Sequence, residues 1–465
     1  MHAMTVARPM ADADLVYAPD EKPRSAFDWG LYSLQWVVTM FYAVVWGYAI
    51  VGLGLGFEGA EFSAYMSAIV LTIGVGTLAQ ALAGHRFAMV SGPNIIPSLA
   101  IVAALAAGGR EYALQAFTAQ AITGIAVAAL GLVGVLGLVR KVWSPLVLGS
   151  MVLTVGLAIA GVGLEQLAAL GFGWPFAFGL ALAVGGAALS IRGRGLAATL
   201  APLLIIGLGY LVFAATGALD WSLSAAAPTF VLPALFPYGL AMPPLDLLAV
   251  MLVVNLMAAL NLFGNLRGYA DVVGEEVPPR RERRSFAILG AVETGLAGVL
   301  GVPATVAYGE NLGIVLLTRV AARAFIIVAA VVFILLAFLG PVGGFLAAMP
   351  GPIAGAVLLG VASTVIGIGA SMMADAPEFG RREQTLVGFS VFLALGLYLL
   401  PEGAWSGVPT LVTTVLSNPV ISVILFVIVM EQVILRKTKP RRSTPRQESG
   451  APDRPARGDR GTTAR

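Results

Sequence analysis

The chain has 465 residues, of which 58% are hydrophobic and only 11% are charged, and its formal net charge is +3. Because a soluble globular protein carries about 25% charged residues, this composition excludes an ordinary soluble domain. Cysteine is absent and there are two histidines, which excludes a disulfide framework and a thiolate metal site. The basic residues lie in loops and a tail, so we predict no nucleic-acid partner, no metal and no cofactor.

Apolar stretches long enough to cross a bilayer recur along most of the chain. A spanning helix needs about 20 mostly apolar residues, and this length divides the chain into about fourteen spans. They lie at 30–54, 61–84, 87–107, 113–138, 145–168, 172–191, 196–216, 245–267, 285–301, 304–320, 322–348, 352–372, 384–400 and 408–435. The predicted fold class is therefore an all-α membrane protein.

The loop charges predict the orientation of these spans. Cytoplasmic loops are rich in Lys and Arg, and the loops on the side of the N-terminus carry Arg140, the cluster at 280–284 and Arg381, whereas the opposite side carries only Arg110. Since an even number of spans returns the chain to its starting side, we predict a multi-pass protein of the inner (plasma) membrane with both termini cytoplasmic.

Three segments lie outside the predicted spans. Residues 1–28 are polar and form a cytoplasmic N-terminal segment. Residues 217–244 contain five prolines, too many for a spanning helix, and are predicted to be an external loop. Residues 437–465 are rich in Arg, Pro, Ser and Gly and are predicted to be a disordered basic tail that contacts lipid or simply remains solvated.

A weak internal repeat links the third and tenth spans. Residues 91–95 read Ser-Gly-Pro-Asn-Ile and residues 308–312 read Tyr-Gly-Glu-Asn-Leu. Both segments interrupt a span, and seven spans separate them, so equivalent segments run in opposite directions through the membrane. This arrangement is typical of two inverted seven-span repeats in transporters.

The polar residues in these two breaks predict a ligand site at membrane depth. A charge within an apolar span is costly and is usually functional, which singles out Glu310. If half-helices begin at Pro93 and Glu310, their free N–H groups and positive dipole ends meet at one point. Gly309 allows close approach to a substrate. We expect a small, flat, carbonyl-bearing or anionic solute there.

The motif Glu310-Asn311-x-Gly313-x-x-x-x-Thr318-Arg319 resembles the signature of the nucleobase–ascorbate transporter family, also called the xanthine/uracil permease family. Its first residue, Glu310, resembles the uracil permease branch, which has Glu at this position. Weaker likeness lies at 33–35, 87–91 and 349–352. The similarity extends over roughly 30–435, although only the tenth-span motif is highly specific.

This resemblance implies a core domain that holds the substrate and a gate domain that flanks it, with short extended segments in spans 3 and 10. The core domain would comprise 29–138 and 245–349, and the gate domain 145–216 and 350–436. It implies secondary active transport of uracil, xanthine, urate or a related base, usually with a proton, by an elevator-type movement of the core domain. It also implies a homodimer and no enzymatic activity.

The resemblance also assigns residues to the substrate site. Glu310 corresponds to the tenth-span acid that binds the base, with Gly309 and Asn311 beside it. Met89 and Ser91 belong to the third-span segment whose backbone contacts the base, and Gln35 holds a family position in the first span. The chain departs from the family in the eighth span, where Asn261 stands in place of the usual Glu and Asn265 in place of the His of the uracil branch.

The amide of Asn261 donates and accepts hydrogen bonds but does not titrate. Either the substrate therefore differs from that of the uracil permeases, or another carboxylate binds the proton. Glu293, within the ninth span, is the candidate, because burial in low dielectric favours the protonated carboxyl. Its alternative role is a neutral acid bonded to a neighbouring helix. We predict that Glu310, alone or with Glu293, cycles protonation during transport.

Three other functions stay open. The first is an anion transporter of the related sulfate-permease fold, which also uses facing half-helices, although Glu310 disfavours an anionic substrate. The second is an uncoupled nucleobase facilitator, which the loss of the eighth-span acid permits. The third is a membrane-embedded enzyme, for which the sequence shows no nucleophile–base pair. Neither the particular base nor the stoichiometry follows from the sequence.

Overall fold

The computed structural model describes residues 15–134, 144–193, 201–309, 311–374 and 379–435. These residues are mostly helical. Seven of the described helices are long and apolar enough to cross a membrane, and an eighth results if one bent helix pair is counted as one span. The prediction of a helical membrane protein is confirmed; the number of crossings, fourteen, stays a prediction.

The first half of the chain consists of long helices interrupted by one short strand. The elements are α1 (Ala26–Trp46), which continues as a π-helical segment (Gly47–Gly52), α2 (Gly59–Ala83), β1 (Ser91–Pro93), α3 (Ile95–Val133), α4 (Pro145–Ala168), α5 (Trp174–Arg192), α6 (Ala201–Ala215) and the short α7 (Ser222–Ala226). Helix α3 bends at Gly109, whose φ of +76° suits a residue without a side chain. The bend lies between the predicted third and fourth spans.

The second half is more broken. It comprises α8 (Leu245–Val273), α9 (Pro279–Ile288), a π-helical segment (Leu289–Leu296), α10 (Ala297–Val299), β2 (Thr305–Ala307), α11 (Asn311–Thr318), α12 (Arg323–Ala337), α13 (Gly340–Ala347), α14 (Gly351–Ala374), α15 (Arg381–Tyr398), a 3₁₀ turn (Glu402–Trp405), α16 (Thr410–Ser417), α17 (Pro419–Val429) and a last π-helical segment (Met430–Ile434).

The predicted last span over 408–435 is divided at Asn418. Helices on either side of this residue meet at a bend of 88°. Pro419 lacks the N–H that would continue the first helix, and the Asn418 side chain instead accepts from the N–H groups of Val420 and Ile421. The predicted span over this range is therefore a bent pair of helices.

Two sets of helices pack closely through small residues. Helix α4 packs along α14, where a Cβ on Gly355 would lie 2.6 Å from the Gly163 oxygen. In the other set, α3 packs on α8 and on the π-helical segment at 289–296, and α2 packs on α12. Such close backbone approach is typical of helix pairs in membranes, where small residues maximise van der Waals contact.

The segments outside the long helices are held by short backbone contacts. Tyr17 forms a bridge with Val320, directly after α11, and Phe230 forms a bridge with Leu339. Within the predicted loop 217–244, the structure shows α7 and otherwise irregular backbone. The predicted tail at 437–465 lies outside the described residues.

Candidate functional site

Two short strands meet where the third and tenth predicted spans are interrupted. β1 pairs with β2 in antiparallel register, with Ser91 opposite Ala307 and Pro93 opposite Thr305. The Tyr308 hydroxyl also donates to the Pro93 carbonyl at 2.8 Å. A Cβ on Gly92 would lie 2.6 Å from that hydroxyl oxygen, so glycine is required for this close approach.

A helix follows each strand. The Asn94 side chain accepts from the Ile96 N–H at 3.0 Å and so caps α3. Helix α11 begins at Asn311, whose amide nitrogen donates to the Tyr308 carbonyl at 2.8 Å. The positive ends of α3 and α11 therefore lie beside the same strand pair. The expectation that Pro93 occupies the first helical turn is wrong, because Pro93 pairs within β1 and the helix begins after Asn94.

A cavity of about 450 Å³ opens beside this strand pair and is lined by residues from both of its ends, and we call it the strand-end cavity. Its polar lining comes mainly from α1, the β1–α3 junction, α8 and the β2–α11 junction. The opposite wall is apolar apart from one threonine and comes from α4 and α14. The polar side includes Trp46, Asn94, Asn261, Asn265 and Tyr308, and the opposite wall includes Met151, Val152, Val155, Ile159, Thr364, Val365 and Ile368.

A second cavity of about 310 Å³ lies beside α11, and we call it the flank cavity. Thr39 and Tyr42 of α1 and Asn311 of α11 line it, together with residues of α5, α6 and α14. Both cavities touch Tyr308 and Thr364. Cavities of this size lie within the range that binds small molecules.

An amide pair joins α8 to β2 at the strand-end cavity. The Asn265 amide nitrogen donates to the Ala307 carbonyl and to Asn261 Oδ1, both at 2.7 Å. The two asparagines are one helical turn apart, so their side chains lie on one face. A Cβ on Gly309 would lie 2.7 Å from Asn265 Oδ1, so the missing side chain at 309 leaves room for this amide.

A buried acid lies on another face of the strand pair. Glu293 is 1% exposed and its Oε2 accepts from the Gln80 amide at 2.6 Å. The Ser285 hydroxyl donates to Gln80 Oε1 at 2.8 Å, which extends the network to α9. A Cβ on Gly76 would lie near Thr305, Glu293 and Ser91, so the acid packs close to both strands. It lies in a π-helical segment, a distortion that is frequent at functional sites.

The structure brings together some of the predicted site residues. Gly309, Asn261 and Asn265 line the strand-end cavity, and Asn311 lines the flank cavity. Glu310 lies outside the described residues. The remaining predicted residues line neither cavity: Gln35, Met89, Ser91 and Glu293.

Several lining residues were not predicted from the sequence. Trp46 was unremarkable in an apolar span, although with Thr39 and Tyr42 it follows the three- and four-residue spacing of one helix face. Asn94 was part of the repeat segment but had no assigned role. Thr364 lies within a predicted span and gave no sequence signal.

Paired helix ends beside a cavity, within a bundle of long apolar helices, define the class of protein as a multi-pass membrane permease. A model of the permease family named for xanthine and uracil matches residues 27–403. The chain therefore belongs to the xanthine/uracil permease family, as its tenth-span motif predicted.

Its relatives include permeases for different bases. The chain is 27% identical over 390 residues to a uracil permease of Bacillus caldolyticus, covering 79% of this chain and 85% of the relative. It is 27% identical over 442 residues to the xanthine permease XanQ of Escherichia coli K12, covering 88% and 91%. It is 22% identical over 402 residues to the uric acid permease PucJ of Bacillus subtilis, covering 84% and 89%.

Solved structures share the fold at low identity. The transmembrane domain of the cyanobacterial bicarbonate transporter BicA aligns with a TM-score of 0.53 at 15% identity, covering 88% of this chain and 98% of that domain. The overall structure of SLC26A9 aligns with a TM-score of 0.57 at 11% identity, covering 80% and 62%. These likenesses show the fold alone.

Proposed function

We propose that this permease is a secondary active transporter of a nucleobase-like solute of the uracil, xanthine or urate type, driven by proton symport. The observation that carries the proposal is the strand-end cavity, where the positive ends of α3 and α11 and the amides of α8 meet beside one strand pair. The family match and the relatives that are named for these bases support the substrate class.

We propose an elevator-type movement in which a core domain (29–138 and 245–349) carries the substrate against a gate domain (145–216 and 350–436), within a fold of fourteen spans in two inverted repeats. The distribution of polarity around the cavity supports this division. The asparagines belong to the core segments, whereas the gate segments contribute mostly apolar side chains such as Val155 and Ile368. A substrate hydrogen-bonded to the core would slide past the apolar wall with few bonds to break.

For the proton, we propose Glu310, alone or with Glu293, as the carrier, since the eighth-span position holds the non-titrating Asn261. Glu293 is 1% exposed, and a charged carboxylate is costly to bury, which supports a role for this acid in binding a proton. We further propose that both termini are cytoplasmic, that the protein lies in the plasma membrane and that it forms a homodimer through the gate domain.

The test is uptake of radiolabelled uracil, xanthine and urate into proteoliposomes with and without an inward proton gradient. We expect accumulation only with the gradient, and Glu310→Gln to abolish it. Equal uptake of the base with and without a gradient would indicate the uncoupled facilitator. Uptake of bicarbonate or sulfate, with no uptake of any nucleobase, would indicate the anion transporter, which is the alternative.

A further inference from the structure

The segment before α1 is bound to the end of α11. Residues 15–24 form this segment, which we call the strap. The Val16 and Tyr17 N–H groups donate to the Arg319 carbonyl at 2.8 and 3.3 Å. The Tyr17 carbonyl accepts from the Ala321 N–H at 2.9 Å. Arg319 has a φ of +58°, in the left-handed region that residues other than glycine rarely adopt. The turn that ends α11 is therefore held by its pairing with the strap.

Tyr17 anchors the strap. Its side chain is 2% exposed, and its ring centroid lies 5.3 Å from that of Phe325 in α12 and 6.0 Å from that of Tyr32 in α1. Its hydroxyl donates to the Asp28 carboxylate at 2.8 Å and accepts from the Arg24 N–H at 3.0 Å. A buried aromatic ring contributes strongly to packing, so this side chain fixes the strap to α1 and α12.

A second contact lies at Asp20. Its carboxylate accepts from Arg323 at 2.7 Å and from Arg86 at 3.3 Å, and Arg323 also donates to the Ala81 carbonyl of α2 at 3.1 Å. The Asp20 side chain is 63% exposed, so water screens these pairs and they contribute less than the buried ring. The elements joined in this way, α1, α2, α11 and α12, all belong to the proposed core segments.

Helix α11 needs support because it is short. It has eight residues, Asn311–Thr318, and an isolated helix of this length is only marginally stable. Its Gly313 lines both the strand-end cavity and the flank cavity. If this helix were formed only part of the time, the apparent affinity for a ligand that needs it would fall in proportion to the formed fraction. The contacts of the strap therefore matter for the site.

We propose that Tyr17 is a positioning residue for the substrate site. It fixes the strap, and the strap keeps α11 formed beside the two cavities. Tyr17 itself lines neither cavity and precedes the residues 27–403 that the family model matches. The inference rests on the proposed function only for its ligand, a nucleobase, because the effect on α11 is measured without one.

The experiment makes two measurements on the purified full-length permease in detergent. Hydrogen exchange followed by mass spectrometry reports the opening of residues 311–320 without ligand, and equilibrium binding is measured for uracil, xanthine and urate. In Tyr17→Ala we expect these amides to exchange at least about tenfold faster and the bases to bind about tenfold more weakly. Tyr17→Phe keeps the buried ring and should stay within about threefold of wild type in both measurements.

A second variant keeps the test decisive if Tyr17→Ala does not fold. Tyr17→Leu retains apolar volume but has neither the ring nor the hydroxyl, and it should change both measurements at least about threefold in the same direction. The matched control is Phe213→Ala in α6, because Phe213 is 0% exposed and lies 5.1 Å from the Trp174 ring. It should lower the midpoint of thermal unfolding but leave exchange at 311–320 and base binding within about twofold of wild type.

Three results would overturn the inference. The first is a lower unfolding midpoint in the Tyr17 variants with unchanged exchange at 311–320, as in the control, which would reduce Tyr17 to a packing residue. The second is faster exchange with unchanged base binding. The third is an equal change at 311–320 in Phe213→Ala. If wild type binds and transports none of the bases, the proposed function fails, whereas the exchange measurement still decides whether the strap holds α11.

Discussion

The Gln80 amide donates a 2.6 Å hydrogen bond to the Glu293 carboxyl, although the two residues are 213 positions apart in the chain. Both side chains are buried. The bond joins α2 to the π-helical segment at 289–296, and so it ties together two elements that pack against the strand pair. The acid therefore has a structural partner and also packs close to the strand pair.

Replacing Glu293 with Gln separates these two roles. The new amide oxygen can still accept from Gln80, so we expect the variant to fold and to bind bases, but to lose accumulation driven by a proton gradient, because an amide does not titrate. Base exchange across proteoliposomes without a gradient should persist. Glu61→Gln, at an exposed ion pair with Arg110, is the control. Normal accumulation by Glu293→Gln would remove this acid from the mechanism.

Gly309→Ala tests the space that the amide pair needs. The added methyl would lie 2.7 Å from Asn265 Oδ1 and 3.3 Å from its Cγ, so Asn265 must leave the Ala307 carbonyl. We expect a loss of about 1–3 kcal/mol in stability, as for other overpacked sites, and at least about tenfold weaker base binding.

Thermal unfolding and equilibrium binding measure these effects. The shorter side chain of Asn265→Ser should restore part of the stability in the double variant. Gly268→Ala, where the nearest atom would be 3.7 Å away, should have little effect. Strong destabilisation by both alanine variants would show that an added methyl group is itself harmful in this region, and that the contact with Asn265 is not the cause.

Gly290→Ala should prevent correct folding. A Cβ at 290 would lie 2.1 Å from the Ala128 nitrogen and 2.6 Å from the Gly124 oxygen, and both are backbone atoms of α3 that cannot move independently. We expect almost no monodisperse protein by size-exclusion chromatography. Gly264→Ala on α8 meets no atom within 4 Å and should express normally, since alanine favours helix. Normal yield of the 290 variant would contradict the close packing of these helices.

His85 should make the protein less stable in acid. It lies in the turn between α2 and β1, where its Nδ1 accepts from the Phe87 N–H at 3.0 Å. Burial, and then the nearby Arg281 charge, lower the pKa of His85 to about 3, whereas an unfolded histidine titrates near 6.5. The unfolded chain thus binds more protons below pH 6.5, and stability falls as pH is lowered.

When the pH is lowered from 7.5 to 5, protonation of this residue in the unfolded chain should reduce the free energy of unfolding by about 2 kcal/mol. The reduction is about 1.36 kcal/mol for each of the roughly 1.5 pH units that lie below 6.5. The measurement is the midpoint of thermal unfolding as a function of pH. His85→Asn keeps an acceptor near the Phe87 N–H without a titrating ring, so its midpoint should fall less over this range. Identical pH profiles would show that His85 is not the acid-sensitive group.

The sequence alone predicted the class of the fold and the position of the two breaks that the strand pair occupies. The apolar length of the spans predicts a membrane protein because hydrocarbon admits only segments whose backbone groups are hydrogen-bonded internally. Gly92 and Gly309 marked where the helices break. The motif that begins at Glu310 predicted the family, which the comparisons confirmed.

The tertiary structure determined which contacts the residues at the breaks make. Pro93 suits a helix start equally well, and its place in β1 results from pairing with a segment more than two hundred residues away. Asn261 and Asn265 could each have presented an oxygen or a nitrogen to the cavity. The Ala307 carbonyl, which belongs to another part of the chain, fixes both amides. Local sequence encodes span length and breakage, whereas hydrogen bonds and cavities depend on contacts between distant segments, and so only the folded chain determines them.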